Sequence, residues 1–124
     1  MAKTILFVYG TLKRGLRNHP LIADQEFLGE AVTEPRYRVL DLGPHPGLVA
    51  DEAAGLAVKG ELWAVSDRRL AELDEFEEVP GPFVRAEVRV AGRAEPAQAY
   101  FWNRPVPAGA ASGSEWPLSG ERGA

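Results

Sequence analysis

One carboxylate in this sequence lies where it could transfer protons. With Leu70 at zero on a helical wheel of about 100° per residue, Leu73 falls at about 300° and Phe76 at about 240°. Glu77 falls at about 340°, on the same apolar side, whereas the glutamates next to it face water. Burial raises a carboxyl pKa from about 4.3 toward neutrality, which suits a general base and acid. The alternative is a structural ion pair with a base such as Arg85 on the next strand.

A second candidate is the turn that follows the first apolar run. Tyr9, Gly10, Thr11 and Leu12 lead out of a strand predicted to be buried, and Gly10 allows backbone conformations that other residues avoid. Consecutive N–H groups in such a turn can bind a carboxylate or a developing oxyanion. The spacing of a phosphate-binding P-loop is absent. Ordinary turn chemistry is the competing interpretation.

Other chemistries have little support. The chain lacks cysteine, which excludes disulfides and thiolate nucleophiles, and its two histidines make a multi-histidine metal site improbable. His45, between two prolines, is expected to cap a turn rather than touch a ligand. Trp63 and Trp102 are expected in the core or in a pocket wall. No serine lies in a Gly-x-Ser-x-Gly setting.

Composition narrows the function classes further. The 124 residues include 14 lysines and arginines against 18 acidic residues, a net charge of −4 that argues against nucleic acid. The first apolar run is far shorter than the ~20 residues of a membrane span and lacks the features of a signal peptide. We therefore expect a cytoplasmic location and no membrane partner.

Many short strands and one clear helix predict an α+β protein, most simply a small twisted β-barrel with the helix packed alongside. The helix begins after the N-cap Ser66, runs through Glu77 and is stopped by the Pro-Gly-Pro at residues 80–82. Gly60 inside a strand predicts a bulge or a close backbone approach. A short helix is expected over residues 21–27. Strands are predicted at residues 5–9, 30–33, 37–42, 48–50, 57–65, 83–90 and 98–102.

The organisation predicted is one domain over residues 1–104. After Pro105 the composition shifts to proline, glycine, alanine and serine, with Trp116 as the only bulky aromatic residue. Residues 105–124 are accordingly expected to form an irregular tail. The sequence does not indicate an oligomeric state.

Several motifs occur in a specific order along the chain. Phe-Val-Tyr-Gly-Thr-Leu-Lys-Arg-Gly at residues 7–15 is followed by Asn-His at 18–19 and Gly-Glu-Leu-Trp-Ala-Val at 60–65. Leu-Asp-Glu-Phe-Glu at 73–77 and Phe-Val-Arg at 83–85 complete the set. This series resembles the gamma-glutamylcyclotransferase-like family, particularly its gamma-glutamylamine cyclotransferase branch, from about residue 5 to 101.

The resemblance implies a small β-barrel flanked by helices. It also implies that Tyr9, Gly10, Thr11 and Leu12 line the cavity for the γ-glutamyl or 5-oxoproline moiety, and that Glu77 is the catalytic glutamate. The wheel selects the same acid from the residues alone.

The Phe-Val-Arg motif departs from the family's pattern. The family usually has Tyr-x-Arg there, so Phe83 cannot supply the phenol, and Arg85 remains a candidate supporting residue.

The reaction implied is the attack of a γ-glutamyl amine's own α-amino group on its γ-carbonyl, releasing 5-oxoproline and a free amine. Glu77 would serve as base and then acid. This acyl-transfer or lyase chemistry needs a small γ-glutamyl substrate and no metal or cofactor. Two alternatives stay open: a noncatalytic module of the same fold that binds a small amino-acid derivative, and a different leaving amine on the same fold.

Overall fold

The computed structural model describes residues 3–118. Its regular elements in chain order are β1 (Lys3–Val8), a 3-10 helix (His19–Leu21), β2 (Glu26–Val32), β3 (Tyr37–Asp41), β4 (Pro46–Ala50), β5 (Lys59–Ser66), α1 (Asp67–Phe76), β6 (Phe83–Val88), β7 (Ala97–Trp102) and β8 (Ser112–Gly113).

The strands form one curled sheet. Their order is β2-β5-β1-β7-β4-β3-β8, and β6 pairs antiparallel with β7 beside this path. Most pairs are antiparallel, but β7 runs parallel to both β1 and β4. An isolated bridge between Thr33 and Val90 links the segments just beyond β2 and β6. The result is a half-barrel with one α-helix alongside, which confirms the predicted α+β class.

Side chains pack on both faces of β1. Phe7 and Tyr9 belong to one buried cluster, whereas Leu6 and Val8 belong to the other. The second cluster also contains Leu70 and Leu73 of α1, among others. The continuous apolar run of the first strand therefore reflects cover on both faces, as predicted.

The helix begins as the sequence predicts. The Ser66 side chain accepts a hydrogen bond from the Arg69 N–H at 3.2 Å. Leu70 and Leu73 are buried against the sheet, but Phe76 is 47% exposed, so the apolar side is narrower than predicted. Phe76 lies in the last turn of the helix and lines the cavity described below instead of joining the core.

The expected helix over residues 21–27 is wrong. A single 3-10 turn ends at Leu21, and β2 begins at Glu26. Glu26 pairs with Ala64 and Phe27 with Trp63 of β5, so cross-strand pairing determines this segment. A helix that short gains few hydrogen bonds for the cost of its nucleation.

The segment after residue 104 contacts the sheet. In β8, Ser112 and Gly113 pair antiparallel with β3, Trp116 packs against the core and Leu118 is buried. Residues 119–124 of the expected tail lie outside the described residues. Within residues 3–118 no helix is long and apolar enough to cross a membrane.

Gly60 marks a close backbone approach, as predicted. A Cβ added there would lie 2.4 Å from the Val8 carbonyl oxygen and 2.6 Å from Phe7 Cζ. Gly60→Ala should therefore lower the free energy of unfolding by about 1–3 kcal/mol, the usual cost of overpacking.

Urea denaturation measures this loss. Gly113→Ala is the matched control, because its added methyl meets the end of the Leu118 side chain at 3.0 Å. A Gly60→Ala protein as stable as the wild type would contradict the packing described here.

Candidate active site

A cavity of about 300 Å³ opens where the end of β1, the end of α1 and strands β6 and β7 meet. It brings together the two features that the sequence singles out, the turn after β1 and Glu77. Its lining comprises residues 7–12, Arg17, Asn18, His45, Pro46, residues 76–78, Pro82, Phe83, Tyr100 and Trp102.

Glu77 lies at the C-cap of α1, directly after the last helical residue. Its N–H donates to the Leu73 carbonyl oxygen at 2.8 Å, which fixes the backbone. Among the described residues its carboxylate has no hydrogen-bond or ion-pair partner, and burial raises its pKa from 4.5 to about 7. A carboxyl with this pKa can accept and return a proton near neutral pH.

Arg85 pairs with Asp74 and not with Glu77. Its Nε and Nη2 donate to the two Asp74 oxygens at 2.9 and 3.0 Å, and Nη1 donates to Gln98. Burial alone would raise the Asp74 pKa, but hydrogen bonds from Arg85 and Tyr100 outweigh it and lower that pKa. Arg85 is not among the residues that line the cavity, and its guanidinium is bound to Asp74.

Two buried phenols flank the cavity. The Tyr100 hydroxyl donates to Asp74 Oδ1 at 2.7 Å, and the Tyr9 hydroxyl donates to the Tyr100 carbonyl at 2.6 Å while accepting from the Leu48 N–H at 3.1 Å. Burial raises the pKa of both tyrosines, and the negative charge of Glu77 raises them further. Both phenols are therefore neutral at physiological pH.

The turn after β1 is held by its carbonyl oxygens and one side chain. Gly10 O accepts from the Lys13 N–H at 3.1 Å, and Thr11 O accepts from the Asn18 N–H at 2.9 Å. Asn18 Nδ2 also donates to Thr11 Oγ1 at 2.8 Å. Among the described residues, the backbone N–H groups of Gly10, Thr11 and Leu12 donate no hydrogen bond to a backbone carbonyl. These three N–H groups are the turn's available donors for an anion.

Glycine is required at position 10. A Cβ there would lie 2.6 Å from Pro46 Cγ, so the turn after β1 and the start of β4 pack in direct contact. The cavity wall on this side depends on that approach.

Glu61 binds Arg14, which follows the turn, and was not predicted as part of the site. It is only 6% exposed and accepts from Arg14 N and Nε at 3.2 and 3.1 Å and from Trp63 Nε1 at 3.1 Å. Burial alone would raise its pKa, but these hydrogen bonds outweigh it and lower that pKa. The available signal was a lone acid in the centre of an apolar strand, which needs a partner when buried.

His45 lines the cavity, so its position makes contact with a ligand possible, and the expectation that it caps a turn rather than touches a ligand stays a prediction. Its Nδ1 lies 3.1 Å from the Pro46 carbonyl oxygen, and its ring centroid is 5.7 Å from that of Phe83. Trp102 is a cavity wall and Trp63 is core, both within the predicted range. His19 does not line the cavity, although its Nδ1 lies 3.0 Å from the carbonyl oxygen of Leu12, which does. The two histidines therefore differ in their position relative to the cavity.

Comparisons with known proteins converge on one family. The sequence profile described as "Gamma-glutamyl cyclotransferase, AIG2-like" matches residues 6–118. Human gamma-glutamylaminecyclotransferase is 38% identical over 96 residues, covering 69% of this chain and 61% of the human protein. The chain thus spans about three fifths of that relative's length.

Solved structures share the fold. An AIG2-like protein from Mus musculus superposes with a TM-score of 0.72 at 27% identity, covering 88% of this chain and 82% of that one. A uropathogenic Escherichia coli-specific protein has a TM-score of 0.78 at 24% identity, covering 92% of this chain and 90% of that chain, and shows the fold alone.

The raised pKa of Glu77 makes stability depend on pH. The folded state holds this proton more tightly than the unfolded chain, whose carboxyl has its ordinary pKa of 4.5. As pH rises from about 4.5 to about 7, the folded protein should therefore lose stability through this group. Glu77→Gln should remove that loss, so its stability relative to the wild type should increase across this range.

Urea denaturation at several pH values measures the difference. Glu75→Gln, an exposed position on the same helix, is the matched control and should follow the wild type. A constant difference between Glu77→Gln and the wild type at every pH would contradict the burial argument.

Proposed function

The chain belongs to the AIG2-like gamma-glutamyl cyclotransferase family, and on that premise we propose that it cyclises a γ-glutamyl amine or γ-glutamyl amino acid to 5-oxoproline. The other product is the free amine. Glu77 is the general base and acid of this reaction, and the turn formed by residues 9–12 binds the acyl part of the substrate.

The observation that carries the proposal is the state of Glu77. Its carboxylate lines the cavity, has a pKa of about 7 and has no partner among the described residues. A carboxylate kept for structure would be expected to hold an ion pair, as Asp74 does with Arg85 at 2.9 Å. An unpaired, desolvated acid fits proton transfer better.

The proton moves through Glu77 in two steps. The substrate's α-ammonium first loses a proton to Glu77, and the freed amine nitrogen attacks the γ-carbonyl carbon, forming the ring C–N bond. The resulting oxyanion lies within reach of the N–H groups of Gly10, Thr11 and Leu12. When the intermediate collapses, the bond to the departing amine breaks and Glu77 returns its proton to that nitrogen. The ring nitrogen gives up the second proton that it carries after the attack, and the amine takes it up and leaves as an ammonium.

The substrate supplies its own nucleophile, so the enzyme mainly holds the chain folded. Cyclisation needs the α-amine and the γ-carbonyl at near-attack distance, and a small cavity imposes this geometry. The neutral phenols of Tyr9 and Tyr100 flank Glu77 without supplying a positive charge that would lower its pKa.

Glu77→Gln should lower turnover by at least about 100-fold, because the amide keeps the shape but cannot accept the proton. The assay incubates the protein with a panel of γ-glutamyl amines and dipeptides and measures 5-oxoproline. Glu75→Gln, exposed on the same helix, is the control for loss of a nearby carboxylate. A fully active Glu77→Gln protein would remove this mechanism. A wild type that binds 5-oxoproline but forms none would favour the noncatalytic module.

Gly10→Val should weaken 5-oxoproline binding more than Thr11→Ala. The valine side chain meets Pro46 and displaces the turn's N–H groups, whereas the alanine loses only the hydrogen bond from Asn18. Calorimetric titration with 5-oxoproline compares the two variants, and circular dichroism melting checks that each is folded. Equal affinity in wild type and Gly10→Val would place the anion elsewhere.

A further inference from the structure

Three aromatic rings line one side of the cavity and are called here the ring wall: His45, Phe83 and Trp102. Their centroids lie 5.7 Å apart for His45 and Phe83, 6.3 Å for His45 and Trp102, and 5.4 Å for Phe83 and Trp102. Phe83 and Trp102 are direct partners in the β6–β7 ladder. The ring wall is therefore built on paired strands.

The polar atoms of the ring wall are largely turned to the protein. His45 Nδ1 lies 3.1 Å from the Pro46 carbonyl oxygen, which can only accept, so Nδ1 carries the hydrogen. Trp102 Nε1 donates to the Pro105 carbonyl at 3.4 Å. Phe83 has no polar atom. What remains for a ligand is mainly ring surface, with one imidazole nitrogen, Nε2.

The ring wall shares β7 with Tyr100, which also lines the cavity. Tyr100, next to Asp74, and Trp102 are two residues apart on β7 and belong to the same side of the sheet. Two strand residues span about 6.6 Å. A substrate whose acyl end lies at Glu77 and the turn occupies the same cavity as these rings, so the rings are available to its amine substituent. Phe83 is 7% exposed, and Trp102 is half-buried.

The charges of Arg17 and Glu78 do not decide which amine substituent the cavity accepts. Arg17 and Glu78 both line the cavity and carry opposite charges. Arg17 Nη2 donates to the Pro44 carbonyl at 2.5 Å, which joins the loop after β1 to the turn before β4. The ring faces are the larger recognition surface.

We propose that the ring wall is the subsite for the leaving amine and selects amines that carry an aryl or similarly planar apolar group. The inference rests on the proposed cyclotransfer and adds the class of amine to it. Planar groups pack on aromatic faces with favourable offset or edge geometry, whereas a short alkyl group covers little of the wall.

The test compares two substrates, γ-glutamyl-phenethylamide and γ-glutamyl-propylamide, whose leaving groups are both primary alkyl amines. The wild type should show a kcat/KM at least about tenfold higher for the phenethylamide, the scale of discrimination by a hydrophobic subsite. Trp102→Ala and His45→Ala should each bring this ratio toward one, and Trp102→Phe should restore most of it. Leu28→Ala, an exposed apolar position on β2 outside the lining, should leave the ratio unchanged.

A third substrate, γ-glutamyl-4-aminobutylamide, tests whether the rings select a cation instead. A higher kcat/KM for this amide than for the phenethylamide would overturn the proposal. Equal kcat/KM for the phenethylamide and the propylamide would overturn it while leaving the cyclotransfer intact. Cyclisation of the γ-glutamyl dipeptides but of none of the three amides would overturn this inference alone. Cyclisation of neither the dipeptides nor the amides would overturn the proposed function, and this inference with it.

Discussion

The bidentate pair between Arg85 and Asp74 is the interaction on which the site depends. Both side chains are about one quarter exposed, and the guanidinium donates to both carboxylate oxygens. Because Arg85 is held there, its guanidinium does not reach Glu77. A guanidinium beside Glu77 would lower its pKa and leave a permanently charged carboxylate. The same Asp74 also accepts from Tyr100, so one pair orients a phenol and keeps the neighbouring acid unpaired.

The opposite wall of the cavity depends on a close backbone approach, a side-chain hydrogen bond and an ion pair. Gly10 allows Pro46 to approach the turn, Asn18 holds Thr11, and buried Glu61 ties Arg14 to β5. The contacts with Pro46 and Glu61 come from β4 and β5, distant in sequence, whereas Asn18 lies in the same loop, and all of them hold the segment after β1. The turn is therefore a rigid part of the sheet edge, which suits a set of N–H donors that must be in place before charge develops.

Much of this arrangement could be predicted from local patterns. The Ser66 cap, the apolar β1 and the position of Glu77 follow from periodicity, capping chemistry and helix geometry. The segment leading into β2 could not, since pairing of Phe27 with Trp63 outweighs local propensity. The sequence also did not predict which carboxylate pairs with Arg85. Asp74 and Glu77 are one helical turn apart, and only tertiary packing decides between them. His45 illustrates the same limit: its neighbours Phe83 and Trp102 are close only after folding.

We propose that Glu77, a desolvated carboxyl without a partner among the described residues, exchanges protons with the substrate. Carbon NMR of the side-chain carboxyl, with Glu77 assigned by comparison with Glu77→Gln, measures its titration directly in the ligand-free protein. We expect a pKa of about 7 for the Glu77 carboxyl. A value at or below the ordinary 4.5 would show that pairing outweighs burial and would contradict the assignment of Glu77 as the base.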